Sequence, residues 1–188
     1  MQGNIEEYVR GIIRGIEGSI RPDLEETPRR VQTALTEMLD GYSVDIDSLF
    51  KTFEGEGQDQ IVVIRNIKFT SFCEHHLLPF SGTAHVAYLP VKKVIGASKI
   101  PRLVMAYAHR LQLQERITRQ VAETLMEKLE PQGVAVVIQG EHTCMRCRGI
   151  KCSDSQMVTS VMLGQFRIER TLRLEVLTLL GLGEPKVS

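Results

Sequence analysis

Apolar residues fall at helical spacing at the start of the chain, where Ile5, Val9, Ile12, Ile13 and Ile16 share one face. Thr27-Pro28 predicts the start of a second helix, with Thr27 as N-cap and Pro28 at the first helical position. Val31, Leu35, Met38 and Leu39 continue its stripe, and Gly41 is the expected stop. From 45 to 60 the period lapses into a Glu-Gly-Glu-Gly-Gln run that reads as a connection. Segments 61–70 and 84–89 are β-branched and alternating, which predicts strands. Helices are predicted over 101–110 and 114–130. In the second, Ile117, Val121, Leu125 and Leu129 recur every four residues, and Pro131-Gln132-Gly133 ends it. Segments 134–139, 143–150 and 157–163 read as three further strands. A last helix spans about 168–180 and ends near Gly181 and Gly183.

Strands in pairs, then helices, then strands predict an α+β fold: an antiparallel sheet with helices on one face. The expected organisation is an N-terminal helical segment, 1–55, before a main domain, 56–188. A sheet of four or five strands has edges to cover, and oligomerisation that extends the sheet is one way to do so.

Composition narrows the function classes. Of 188 residues, 43 % are hydrophobic and 24 % charged, as in ordinary soluble proteins. Lys plus Arg equals Asp plus Glu at 23 each, so bulk charge favours neither nucleic acid nor an anionic membrane. An anionic ligand needs a local cluster of cations. Trp is absent and aromatics total 5 %, a poor set for stacking single-stranded nucleic acid. No apolar run approaches the ~20 residues that span a bilayer, and residues 1–14 lack a signal-peptide core. A cytoplasmic location is expected. There the four cysteines read as metal ligands, redox thiols or core fillers rather than disulfides.

The densest chemistry is Cys73-Glu74-His75-His76, just after a predicted strand. Cys73 and His76 are spaced so that thiolate and imidazole can reach one tetrahedral ion from a single turn. His75 then points elsewhere, free for proton transfer, and Glu74 is placed to orient an imidazole. The plain alternative is a packed cysteine beside surface histidines. A second cluster is Glu141-His142-Thr143-Cys144, with Cys147 and Arg148 following. One cysteine from here, with Cys73 and His76, makes a three-ligand site with its fourth position open, as in catalytic zinc centres. On a strand, His142 and Cys144 share a side, putting His142 beside the metal as acid or base. The rival is a closed structural site that uses Cys144 and Cys147 with both Cys73 and Cys152, or with His76. Spacing leaves the two even. The spare imidazoles of His75 and His142, which a closed site does not need, favour the open one.

Two weaker features follow. Val94 to Arg102 is a small-residue loop leading into a helix, whose start offers free N–H groups. Ser98, Lys99 and Arg102 add a hydroxyl and two cations suited to a phosphate chain, though a solvated helix start fits equally well. Gln114 and Glu115 are able to read a purine edge, or are an ordinary polar helix start.

Together the stretches Cys73-Glu74-His75-His76, Val94-Ile95-Gly96-Ala97-Ser98-Lys99-Ile100-Pro101-Arg102, Gln112-Leu113-Gln114-Glu115-Arg116, and His142-Thr143-Cys144 with Arg148-Gly149-Ile150 closely resemble GTP cyclohydrolase I. Weaker matches are Glu26 to Val31 and Thr159 to Phe166. The resemblance implies the tunnelling fold, in which subunits join their sheets into a barrel. It also implies a homodecamer with active sites at subunit interfaces. It implies zinc held by Cys73, His76 and Cys144, with His75 and His142 as proton-transfer residues. Glu115 is implied at the guanine edge and Gln114 at the ribose side. Ser98, Lys99, Arg102 and Arg148 are implied at the triphosphate, with Arg30 joining from a helix. The implied reaction turns GTP into 7,8-dihydroneopterin triphosphate and formate, a first step toward tetrahydrofolate, other pterins or 7-deazaguanines. No nucleic-acid or membrane partner is implied. A nitrile reductase of the same fold uses a cysteine nucleophile and NADPH, and the Cys73–His76–Cys144 set argues against it. Departures from the family pattern are Cys147, Cys152, Thr33 where a lysine is common, and Ala97 in place of a bulkier residue.

Overall fold

The computed structural model describes residues 4–55, 57 and 59–182. Glu56, where the main domain was expected to open, Gln58 and Gly183 lie outside these. The chain forms two compact units that part between Asp40 and Gly41.

The first unit pairs helix α1 (Ile5–Glu17) with α2 (Thr27–Met38). Asn4 caps α1 by accepting from the Glu7 N–H at 3.2 Å, and Glu6 and Glu7 place negative charge at its positive end. The Gln32 side chain of α2 accepts from the Glu6 N–H at 3.0 Å, tying the helices at one end. Thr27 is not the cap expected of it. A short 3₁₀ turn at Pro22–Leu24 leads into Glu26, which already has helical angles, so no extended residue is left to cap α2. The helix also stops at Met38, ahead of Gly41. Of the apolar α1 positions Ile13 is buried, whereas Tyr8, Ile12 and Ile16 are 68 %, 61 % and 77 % exposed.

In the second unit β1 (Thr52–Glu54) pairs with β4 (Lys93–Ile95). The main sheet has the order β5-β2-β3-β6-β7. It is built from β2 (Val62–Cys73), β3 (Pro79–Leu89), β5 (Leu111–Gln112), β6 (Gly133–His142) and β7 (Met157–Gly164). All pairings are antiparallel except β5 with β2. A bulge between Ile64 and Ile67 interrupts the β2–β3 register, with Asn66 at φ +61°, a conformation asparagine tolerates.

One face of the sheet, with Ala84, Val86, Tyr88, Val134, Val136 and Ile138, packs on α3 (Lys99–Ala108) and α4 (Gln114–Leu129). The four predicted core residues of α4 lie in this layer, none more than 1 % exposed. Helices were expected on one face only. The structure covers both: Ala87, Leu89, Ala135 and Val137 pack with Phe166 of α6 (Gln165–Ile168) and with Val176 and Leu180, at and just beyond α7 (Arg170–Leu179). The unbroken run Val134-Ala135-Val136-Val137-Ile138 explains this, since a strand apolar on both sides must be buried on both. The C-terminal helix expected over about 168–180 is α7, and extended backbone at Glu169 separates it from the unforeseen turn α6.

Segment 143–150, read as a strand, is not one. The chain leaves β6 at His142 and turns into a single helical turn, α5 (Thr143–Arg146). The Thr143 hydroxyl donates to Pro79 O at 2.5 Å, and the Cys147 N–H donates to Thr143 O at 2.9 Å. These bonds give the backbone a local alternative to the ladder.

Candidate functional site

The site grows from the hairpin between β2 and β3. The N–H groups of His76 and Leu77 both donate to Cys73 O, at 3.2 and 2.9 Å, while the Cys73 N–H donates to Leu78 O at 2.9 Å. This closed turn forces Leu77 to φ +53° and folds His76 back over Cys73, bringing Nδ1 to 3.7 Å from Sγ. The loop is anchored from α4. Glu74 was expected to orient an imidazole; its carboxylate instead takes both guanidinium arms of Arg116, at 2.5 and 3.0 Å. Arg116 holds the Glu74 carboxyl below its ordinary range. The Glu74 N–H also donates to Gln112 O, at 3.1 Å.

The third donor arrives through α5. Cys144 is therefore the second residue of a helical turn, not two positions along a strand shared with His142. The ligand atoms of Cys73, His76 and Cys144 all lie within 4.8 Å of one another, and among the described residues no fourth histidine, cysteine or carboxylate joins them. Cys147 is exposed and Cys152 half-buried, both outside this group. The fit to the implied zinc is testable from these atoms. Tetrahedral zinc with ordinary bond lengths sets sulfur and nitrogen donors about 3.5–3.8 Å apart, and the Cys73–His76 separation is 3.7 Å. Burial, and then the adjoining Cys73 thiol, push the Cys144 thiol up. Two thiols side by side resist ionising together unless a cation lies between them. Donor set and spacing both fit a metal.

His142 ends β6 directly opposite Phe80 of β3. Their rings stack with centroids 4.4 Å apart and planes at 10°. His142 Nε2 meets Gln114 Oε1 at 3.1 Å. Burial pushes the His142 pKa below its ordinary value, and the charge of Glu115 opposes the shift. His75 is exposed, its ring 6.1 Å from that of His76 and nearly perpendicular to it.

The remaining predicted residues are less concentrated. Gln114, the first residue of α4, is fully buried, and neighbouring Glu115 is exposed. Ser98, Lys99 and Arg102 stand at the start of α3, which packs against β2. Ser98 and Arg102 are exposed and Lys99 is half-buried. Arg148 is exposed, and its charge favours ionisation of Cys144. Arg30 lies on α2 of the first unit, exposed. Two contributors went unseen in the sequence. Phe80 lies between the predicted strands 61–70 and 84–89, and Gly140 just past the predicted strand 134–139, and neither carried a chemical signal.

An open cluster of two thiols and an imidazole, set on an α+β sheet beside a half-buried histidine, is a centre of the kind used by metal-dependent enzymes. The chain belongs to the GTP cyclohydrolase I family, whose profile matches residues 5–181. It is similar to GTP cyclohydrolase 1 of Synechococcus sp. (strain JA-2-3B'a(2-13)), at 48 % identity over 92 % of this chain and 76 % of that protein. The enzyme of the same name from Leptospira biflexa is 46 % identical over 97 % of this chain and 99 % of its own length. GTP cyclohydrolase 1 1 of Pseudomonas aeruginosa is 43 % identical over 96 % and 98 %. No helix among the described residues is long and apolar enough to cross a membrane.

Proposed function

We propose that this chain hydrolyses and rearranges GTP, with one water, to 7,8-dihydroneopterin triphosphate and formate, using zinc held by Cys73, His76 and Cys144. The observation that carries this reading is the convergence of those three donors within 4.8 Å, with His142 ending the strand that leads to Cys144. Zinc supplies a Lewis acid that makes hydroxide available near neutral pH.

The chain's own groups do the rest. His142, once protonated, gives its proton to N7 as C8 of the purine becomes tetrahedral; burial lowers its pKa and so makes that proton easier to release. His75, exposed at the surface of the loop, serves the later proton transfers. The Glu115 carboxylate accepts from the N–H groups of the guanine edge. Ser98, Lys99, Arg102 and Arg148 hold the triphosphate, and Arg30 adds a further cation; charge here fixes the distant end of the substrate so that C8 is presented correctly.

The active assembly in this proposal is a homodecamer of the tunnelling fold, with sheets joined edge to edge and sites at subunit interfaces. The exposed stripe of Tyr8, Ile12 and Ile16 supports association, as does β7, which pairs on one side only among the described residues. The chain acts in the cytoplasm in this reading.

Purified zinc-loaded protein incubated with GTP is expected to release formate and build pterin absorbance in equal amounts. Tight zinc binding without formate release overturns the proposal.

A further inference from the structure

Gln114 is 0 % exposed, so each of its polar groups needs a partner inside the protein. Its Nε2 lies 3.1 Å from Ile138 O and 3.0 Å from Met157 O, with Thr159 Oγ1 at 3.1 Å. Backbone carbonyls only accept, so the atom between them is the amino group and the amide has one possible orientation. Its Oε1 then faces His142 Nε2 at 3.1 Å and can only accept. The imidazole must supply the hydrogen, so Nε2 carries one and the neutral ring keeps its lone pair on Nδ1.

Neighbouring hydroxyls do not compete. Thr118 Oγ1 donates to Gln114 O at 2.7 Å, which leaves Thr159 to donate to Thr118 Oγ1, also at 2.7 Å. The backbone leaves room for this arrangement: a Cβ on residue 140 would overlap Gln114 Oε1 and stand 3.7 Å from His142 Nε2. Both amide hydrogens face strand carbonyls, so none remains to reach a ribose hydroxyl.

We propose that Gln114 is a positioning residue that fixes His142 with its hydrogen on Nε2, making Nδ1 the nitrogen that exchanges a proton with substrate. This rests on the proposed role of His142 in GTP hydrolysis. Gln114 acts through the ring and does not touch the nucleotide.

The test is a double-mutant cycle of Gln114→Met and Gln114→Glu with His142→Ala. Formate release is read under single-turnover conditions, and GTP binding is read by calorimetry on metal-stripped protein. Gln114→Met is expected to lower kcat by on the order of 10²-fold, with GTP affinity of the metal-free protein within about twofold of the parent. Gln114→Glu keeps an acceptor facing Nε2 and is expected to retain more turnover than Gln114→Met. In the His142→Ala background either change should alter the rate by less than about twofold. Losses that multiply across the cycle, or a fall of about tenfold in GTP affinity, overturn the proposal in favour of a direct substrate contact. If Gln114→Met fails to fold by circular dichroism and gel filtration, Gly140→Ala, which displaces the same amide, takes its place in the cycle on the same criteria. Parent protein that binds GTP but releases no formate overturns the proposed activity, and this role with it. Parent turnover with multiplicative losses overturns only the role of Gln114.

Discussion

The ring of Phe80 lies flat on the ring of His142, centroids 4.4 Å apart and planes 10° from parallel. The two residues are register partners across β3 and β6, so the sheet itself sets the orientation of the histidine. Phe80 is only 1 % exposed, and its ring also meets that of Phe69 edge to face, centroids 6.0 Å apart. Replacing Phe80 by Leu keeps an apolar filler but removes the flat support. Turnover is expected to fall about tenfold with the GTP KM little changed. Phe80→Ala should also cost about 3–5 kcal/mol of stability, read from the urea midpoint.

Gly140 lies where the Gln114 amide meets His142. An alanine there would force the amide off the imidazole. Gly140→Ala is expected to lower kcat by on the order of 10²-fold, the cost of a displacement of about 1 Å in a positioned group. Metal content should match the parent, because no metal donor is touched. Elemental analysis together with formate kinetics checks both parts.

Removing a metal donor should separate the centre from the fold. Cys144 is half-buried at the rim of a core built from α3, α4 and the sheet. Cys144→Ser is expected to carry little zinc and to release no measurable formate, with a far-ultraviolet spectrum like that of the parent. Chelator treatment of the parent should give the same loss, reversed by added zinc. Loss of the folded spectrum on chelation would show instead that the metal holds the fold.

His85 predicts how stability varies with pH. It sits on β3, 6 % exposed, and its Nδ1 has no hydrogen-bond partner among the described residues. Burial first, and then the charges of Arg65 and Lys68, hold its pKa below the ordinary value. The unfolded chain therefore binds a proton that the folded chain refuses. Stability contributed by this difference is intact above about pH 6.5 and declines as pH falls below it. His85→Leu should flatten this decline relative to the parent and raise the unfolding midpoint under mildly acid conditions. An unchanged slope in paired thermal scans would refute the assignment.

Much of the architecture was legible because it depends on periodicity. The four-residue spacing in α4 and the β-branched run of β2 need no distant partner to be recognised. The Cys73–His76 spacing was informative for the same reason, since both donors belong to one turn. What escaped depends on contacts far apart in sequence. Segment 143–150 alternates well enough for a strand, yet the Thr143 hydroxyl finds Pro79 O across the hairpin and the chain coils into α5. Gln114 read as a solvated helix start or a substrate contact, because its burial arises only once β6 and β7 close over it. Glu74 read as a partner for an imidazole, because Arg116 comes alongside only when α4 packs. Helices on both faces were implied by the unbroken apolar run in β6, a signal the alternation argument overlooked.

Cys73 closes β2, whereas Cys144 follows β6, so α3 and α4 are both made between the two thiols. A nascent chain carries Cys73 and His76, two of the three donors, well before Cys144, so the donor set is complete only once β6 has been made. A slip of one position between β3 and β6 would carry Cys144 out of reach of Cys73. A loaded centre thus vouches for correct strand alignment, and the ratio of bound metal to polypeptide in a preparation becomes a gauge of how many molecules are correctly assembled.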